Sequence, residues 1–139
     1  MLLLVLGRPL CSMLPVISIV DDDASVRAAT NNLLSSRGYV VYAFASAGDF
    51  LQSDRLQDSS CVVADVQMPA MSGLDLLTHM RTQGNNTPFI FITAFPEESV
   101  RARALKAGAV CFLAKPFPGP RLIDCIETAL NRNRGGTGN

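Results

Sequence analysis

From Val16 onward, short apolar runs rich in β-branched residues alternate five times with stretches of helical periodicity, and this alternation constrains the fold more than any other feature of the chain. The runs are Val16 to Val20, Tyr39 to Phe44, Cys61 to Ala64, Phe89 to Thr93 and Val110 to Ala114. Four of them are almost wholly apolar, which suits strands covered by helices on both faces rather than a half-exposed antiparallel sheet. Between them Val26, Ala29, Leu33 and Leu34 recur at helical spacing, as do Leu74, Leu77 and Met80, and then Leu122, Ile126, Ala129 and Leu130. Ser46 is placed to cap a second helix reaching about Gln57, Gly38 and Gly108 fall where helices should stop, and Pro96 is placed to open the fourth helix. Parallel strands need right-handed crossovers. Five βα units therefore predict an α/β fold with a doubly wound five-stranded parallel sheet, a (βα)5 arrangement in the flavodoxin-like strand order 2-1-3-4-5.

A chain of 139 residues with 48% apolar and 17% charged residues is one ordinary domain with a real core. Twelve basic residues balance twelve acidic ones, so no net field draws it onto a polyanion or an acidic membrane, and neither nucleic-acid binding nor membrane association is expected. Cys11, Cys61, Cys111 and Cys125 show no CxxC spacing and no histidine cluster. They read as reduced, mostly buried thiols of a cytoplasmic protein, with neither a zinc site nor a redox pair. Residues 1–14 lack the basic start and cleavage site of a signal peptide and are too short to span a bilayer, so they read as a disordered leader, with Met13 as an alternative start. The domain proper is expected over 15–132, and 133–139 as a flexible tail or linker stub.

In a sheet of this order the ligand site lies beyond the carboxyl ends of the strands, where the order reverses. Strand one ends in Asp21, Asp22 and Asp23, strand three in Asp65, strand four in Thr93 and strand five in Lys115. Crowded carboxylates either raise a carboxyl pKa or recruit a counter-ion. An all-oxygen donor set with room for water favours Mg²⁺. Lys115 adds a positive point charge and Thr93 a hydroxyl, so such a site can hold phosphoryl oxygens while Asp65 attacks phosphorus. Taken singly these residues are unremarkable strand ends, and Asp23 reads mainly as the cap of the first helix. Their weight comes from falling together at corresponding ends of different strands.

The motifs V-D-D-D, D-V-Q-M-P-A-M-S-G, F-I-T-A and K-P-F, in this order, resemble the receiver domains of two-component response regulators over about Pro15 to Arg132. The stretches Y-A-F-A-S-A-G-D-F-L and A-L-K-A-G-A look most like receivers of the FixJ or NarL type, attached to a transcriptional output domain. The resemblance implies phosphoryl transfer from a sensor histidine kinase to Asp65, with Mg²⁺ held by Asp22, Asp65 and the backbone carbonyl of Gln67, and by Asp21 through water. It implies that Lys115 pairs with the phosphoryl oxygens, that Thr93 swings toward them, that Phe112 is the aromatic switch, and that the bond before Pro116 is cis. By the same resemblance Gln67 and Phe95 occupy the variable positions that this family uses to tune dephosphorylation, and a bulky Phe95 predicts slow loss of the phosphoryl group. The resemblance further implies that the fourth helix, fifth strand and fifth helix form the readout face and a surface for a phosphorylation-dependent homodimer, where Val100, Leu105 and Val110 are candidate apolar contributors or, equally, core residues. His79, on the third helix, reads as a surface side chain.

Two other readings compete. Asp21, Asp23, Ala24 and Ser25 faintly resemble the D-x-D-G-T opening of haloacid-dehalogenase-like phosphohydrolases, but after Lys115 only Asp124 and Glu127 remain, inside a helix, where that family needs an acidic pair on a later strand. A receiver-like interaction module that is never phosphorylated is the other, and the intact set of acidic pair, Asp65, Thr93 and Lys115 weighs against it.

Overall fold

The structure, a computed structural model, describes residues 4–5, 8–9 and 14–135. Five parallel strands form one sheet: β1 (Val16–Val20), β2 (Val40–Phe44), β3 (Cys61–Asp65), β4 (Phe89–Thr93) and β5 (Cys111–Ala114). Their order is β2-β1-β3-β4-β5, as the alternation predicts. The helices are α1 (Ala24–Ser36), α2 (Ala47–Leu51), α3 (Arg55–Asp58), α4 (Gly73–Thr82), α5 (Glu98–Lys106) and α6 (Gly119–Gly135). No helix among the described residues is long and apolar enough to cross a membrane.

The two-residue period of the strands sorts their side chains into two cores. Ile17, Ile19, Val63, Ile90 and Ile92 face α1 and α6, where Leu34, Leu122 and Ile126 complete one cluster. Val20, Val62, Ala64, Phe89 and Phe91 face the other way and pack with Phe50, Leu76, Leu77 and Met80. Because β1, β3 and β4 are covered on both faces, their polar residues are driven to the strand ends. Ser18 is the exception, and its buried hydroxyl is within 2.6 Å of that of Ser59.

Several local expectations are corrected. The second helix breaks at residues 52–54, because the Ser53 hydroxyl donates to the Phe50 carbonyl and accepts from Arg55 N, competing with the helical ladder. Ser46 does cap α2, accepting from Asp49 N at 3.0 Å. Pro96 lies one residue before the Glu97 cap of α5, not in its first turn, because residues 94–96 remain in the loop that shapes the site. On α1 the buried positions are Thr30 and Leu34, and Ala29 is exposed. Within the stretch read as a leader, Leu4–Val5 pairs antiparallel with Arg8–Pro9, and its other residues before Leu14 lie outside the described residues. At the other end α6 runs on to Gly135, into the stretch expected to be a tail, and the rest of that tail lies outside the described residues. Gly38 and Gly108 end their helices at φ +89° and +105°, a backbone region that only glycine enters freely.

Cys111 and Cys125 are joined in a disulfide, contrary to the reading of all four cysteines as thiols. Their Cα atoms are 6.1 Å apart, a separation a disulfide spans. They are 14 residues apart in sequence, and only the docking of α6 against the sheet brings them together. Cys61 is a buried free thiol whose pKa burial pushes up to about 12, and Cys11 lies outside the described residues.

Candidate functional site

Parallel register brings the polar strand ends to one edge. Val20 pairs with Phe44 and with Ala64, Asp65 with Ile92, and Thr93 with Ala114. The chain leaves β1 at Asp21, whose N–H donates to the Phe44 carbonyl at 3.0 Å and whose carbonyl accepts from Arg27 Nη1 at 2.7 Å. Asp21 is fully buried, and its Oδ1 accepts from Asp23 N at 2.9 Å. Its Oδ2 makes no hydrogen bond of acceptable angle, although Lys115 Nζ lies 2.8 Å away as a counter-charge. Asp65, 5% exposed, closes β3, with Oδ1 accepting from Gln67 N at 3.1 Å and Oδ2 from Lys115 Nζ at 3.1 Å.

Electrostatics follow from this crowding. Burial, and after it the charge of Asp21, raise the Asp65 pKa against the opposing pull of Lys115 and the Gln67 N–H. Burial alone would lower the Lys115 pKa, but its close contacts with Asp21 and Asp65 and their charge attraction outweigh that and raise it. The ammonium neutralises only part of the cluster. Ligand oxygens of Asp21, Asp22 and Asp65 lie within 4.8 Å of one another, and an all-carboxylate set holding one buried oxygen without a directed partner fits a hard divalent cation. Asp22 is exposed and shares with Asp23, Asp65, Gln67, Ala94, Phe95 and Lys115 a cleft of about 330 Å³. Asp23 caps α1, accepting from Ser25 N and Val26 N.

Thr93 is fully buried at the end of β4. Its hydroxyl donates to Gln67 Oε1 at 2.5 Å and accepts from Phe95 N at 3.0 Å. Nothing in the sequence signals the Gln67 contact, since a glutamine two residues past a strand end has no characteristic partner. Lys115 N donates to the Thr93 carbonyl at 2.7 Å, and the peptide bond from Lys115 to Pro116 is cis. Phe112 is half-buried on the face of β5 that packs toward α5. Val100 and Val110 pack against the cores, whereas Leu105 is 36% exposed. The ring of Phe95, 66% exposed, stands at the rim of the cleft. His79 is exposed and lines a different cavity, with Gln83 and Asn86.

Gly73, the last residue of the D-V-Q-M-P-A-M-S-G stretch, shows why the loop after β3 is so constrained. A Cβ there would collide with the Asp65 carbonyl oxygen and come within 2.9 Å of the Phe91 ring. Gly73 N instead donates to the Val66 carbonyl at 3.0 Å, and Ser72 and Asp75 form a reciprocal capping box that starts α4. The loop is thereby folded back onto the end of β3.

Comparison with known proteins agrees with this arrangement. The family model described as response regulator receiver domain matches residues 17–127. Nodulation protein W of Bradyrhizobium diazoefficiens is 40% identical over 128 residues, covering 92% of this chain and 56% of that protein. Transcriptional regulatory protein FixJ of the same organism is 39% identical over 116 residues, 84% of this chain and 57% of FixJ. The chain thus spans about half the length of the curated relatives it matches. Among solved structures, response regulator StyR superposes with a TM-score of 0.81 at 40% identity, over 89% of this chain and 63% of that one. The FixJ-N crystal structure gives 0.77 at 35% identity, over 84% and 94%. The chain belongs to the response regulator receiver domain family.

Proposed function

We propose that the chain takes a phosphoryl group from a phosphohistidine of a sensor histidine kinase onto Asp65 and changes conformation to control an output, transcriptional by likeness to its relatives. The observation that carries this reading is the set of contacts around one carboxylate, in which Asp65 Oδ2 meets Lys115 Nζ at 3.1 Å beside the buried Asp21. In the transfer an Asp65 oxygen attacks phosphorus, the phosphorus–nitrogen bond breaks, and the departing imidazole nitrogen regains a proton. Asp22, Asp65 and the Gln67 carbonyl, with Asp21 through water, would hold Mg²⁺. The cation supplies positive charge against the phosphoryl oxygens. Lys115 balances the charge that remains on the new acyl phosphate, and Thr93 donates its hydroxyl to it. Phe112 turns inward as Thr93 moves, which carries the change to the face of α5, β5 and α6, the surface for a phosphorylation-dependent homodimer. Phe95 at the rim slows attack by water. Residues 15–132 act as the receiver in the cytoplasm.

Acetyl phosphate with Mg²⁺ is the test. Intact mass should rise by one phosphoryl group, Asp65→Asn and chelation should each abolish the gain, and Phe95→Ala should shorten the half-life of the product. A chain that gains no mass is an inert interaction module, and turnover of unrelated phosphate esters makes it a hydrolase.

A further inference from the structure

We propose that the side chain of Gln67 is a positioning residue that restrains the Thr93 hydroxyl in the resting state and so sets how readily the site passes to its activated arrangement. The inference rests on the phosphoacceptor reading of Asp65. It arises from the one feature of the site that this reading leaves without a role, the side-chain bond between Gln67 and Thr93.

A threonine hydroxyl has a single proton. Here that proton goes to Gln67 Oε1 at 2.5 Å, while a lone pair accepts from Phe95 N at 3.0 Å. To donate to an oxygen on modified Asp65, Thr93 must give up Gln67. The backbone cannot assist by sliding. Thr93 is paired with Ala114 in the ladder and its carbonyl accepts from Lys115 N at 2.7 Å, so the accessible change is rotation of the side chain. Gln67 is itself anchored, because its N–H donates to Asp65 Oδ1 at 3.1 Å. One residue thus touches the acceptor through its backbone and the sensor through its side chain. Because Gln67 is exposed, water satisfies its amide as soon as Thr93 leaves. The restraint is therefore weak and reversible, suited to tuning an equilibrium.

The test measures the beryllofluoride midpoint, in Mg²⁺, for the whole chain with and without Gln67→Leu, in backgrounds carrying Thr93, Thr93→Ser and Thr93→Val. Loss of one hydrogen bond predicts tighter binding by about 2- to 10-fold on Gln67→Leu wherever a hydroxyl is present. With Thr93→Val the same substitution should change the midpoint by less than about 2-fold, since no hydroxyl remains to be released. In the unliganded protein, the Thr93 side-chain couplings seen by NMR should shift from one rotamer toward averaging when Gln67 is replaced. An equal effect in the valine background, or no tightening with Thr93 present, overturns the restraint while leaving the phosphoacceptor reading intact. Failure of the unsubstituted chain to take up beryllofluoride overturns that reading and the restraint together.

Discussion

Both ends of the sheet hold a partly buried cation, and they use it differently. At the carboxyl ends Lys115 Nζ lies against two buried carboxylates, and Asp21 Oδ2 still lacks a directed hydrogen bond. Just before the amino end of β4, Arg81 donates hydrogen bonds of 3.0 Å to the carbonyls of Asn85 and Thr87 and lies 5.8 Å from the Phe89 ring centroid. Asn85 completes that network, donating to the Leu56 carbonyl and accepting from Thr87 N and Oγ1. Burial lowers the Arg81 pKa, and neutral carbonyls are its partners. One end is a closed set of satisfied dipoles that fastens loops to the sheet. The other concentrates charge that the protein alone does not balance, which is the arrangement expected where stability is given up for a ligand.

If the amino end is the fastened one, cutting its fastenings should cost most. Cys111 opens β5 on that side and is bonded to Cys125 of α6. A cross-link closing a loop of this size contributes about 3 kcal/mol in the chain-entropy account. Urea denaturation with and without dithiothreitol should show a loss near that size, and Cys125→Ser should unfold at the same urea concentration under both conditions. Next in size is Arg81→Leu, which leaves the Asn85 and Thr87 carbonyls without their donor. We expect a loss of about 2 kcal/mol, given a charged donor that water partly reaches. Acetyl phosphate labelling of Asp65 in the folded fraction should be unchanged. A labelling defect in Arg81→Leu would show that the two ends are coupled.

Much of this contrast was legible in the sequence, and the parts that were not share a physical cause. Strand order and the meeting of Asp21, Asp65 and Lys115 follow from the alternation of runs and the handedness of crossovers, because each depends on local patterning repeated along the chain. The cap at Ser46 and the stops at Gly38 and Gly108 were legible for the same reason. By contrast, the Cys111–Cys125 bond depends on how α6 settles on the sheet, and the Gln67–Thr93 bond depends on how the loop after β3 folds back over Gly73. Ser53 breaks a helix through a hydroxyl whose choice between solvent and backbone is not written in periodicity. Ala29, read as part of the apolar stripe, is exposed while its neighbour Thr30 is buried, because a small residue can lie on either side of the edge of a helical stripe.

The smallest effect bears most directly on the carboxyl end. With burial and Asp21 holding the Asp65 pKa above its ordinary 3.8, the folded chain binds a proton between the ordinary and the raised value that the unfolded chain has already released. Stability therefore falls as pH rises through that interval, and the ionised carboxylate is a net cost to the metal-free fold at neutral pH. Asp65→Asn removes the charge with little change of shape. Because the cleft admits water, the stabilisation of the metal-free protein at pH 7 should be small. The gain should vanish as pH drops below the ordinary carboxylate range, where Asp65 is protonated in both folded and unfolded chains. If the proposed site takes up Mg²⁺, the gain should also shrink when the cation is added, because binding would favour the parent's full set of carboxylates. Thermal melts of parent and variant across pH, with and without Mg²⁺, measure all three. An asparagine variant no more stable than its parent at pH 7 would mean that Lys115 fully compensates Asp65, and the contrast between the two ends would then reduce to the single oxygen of Asp21.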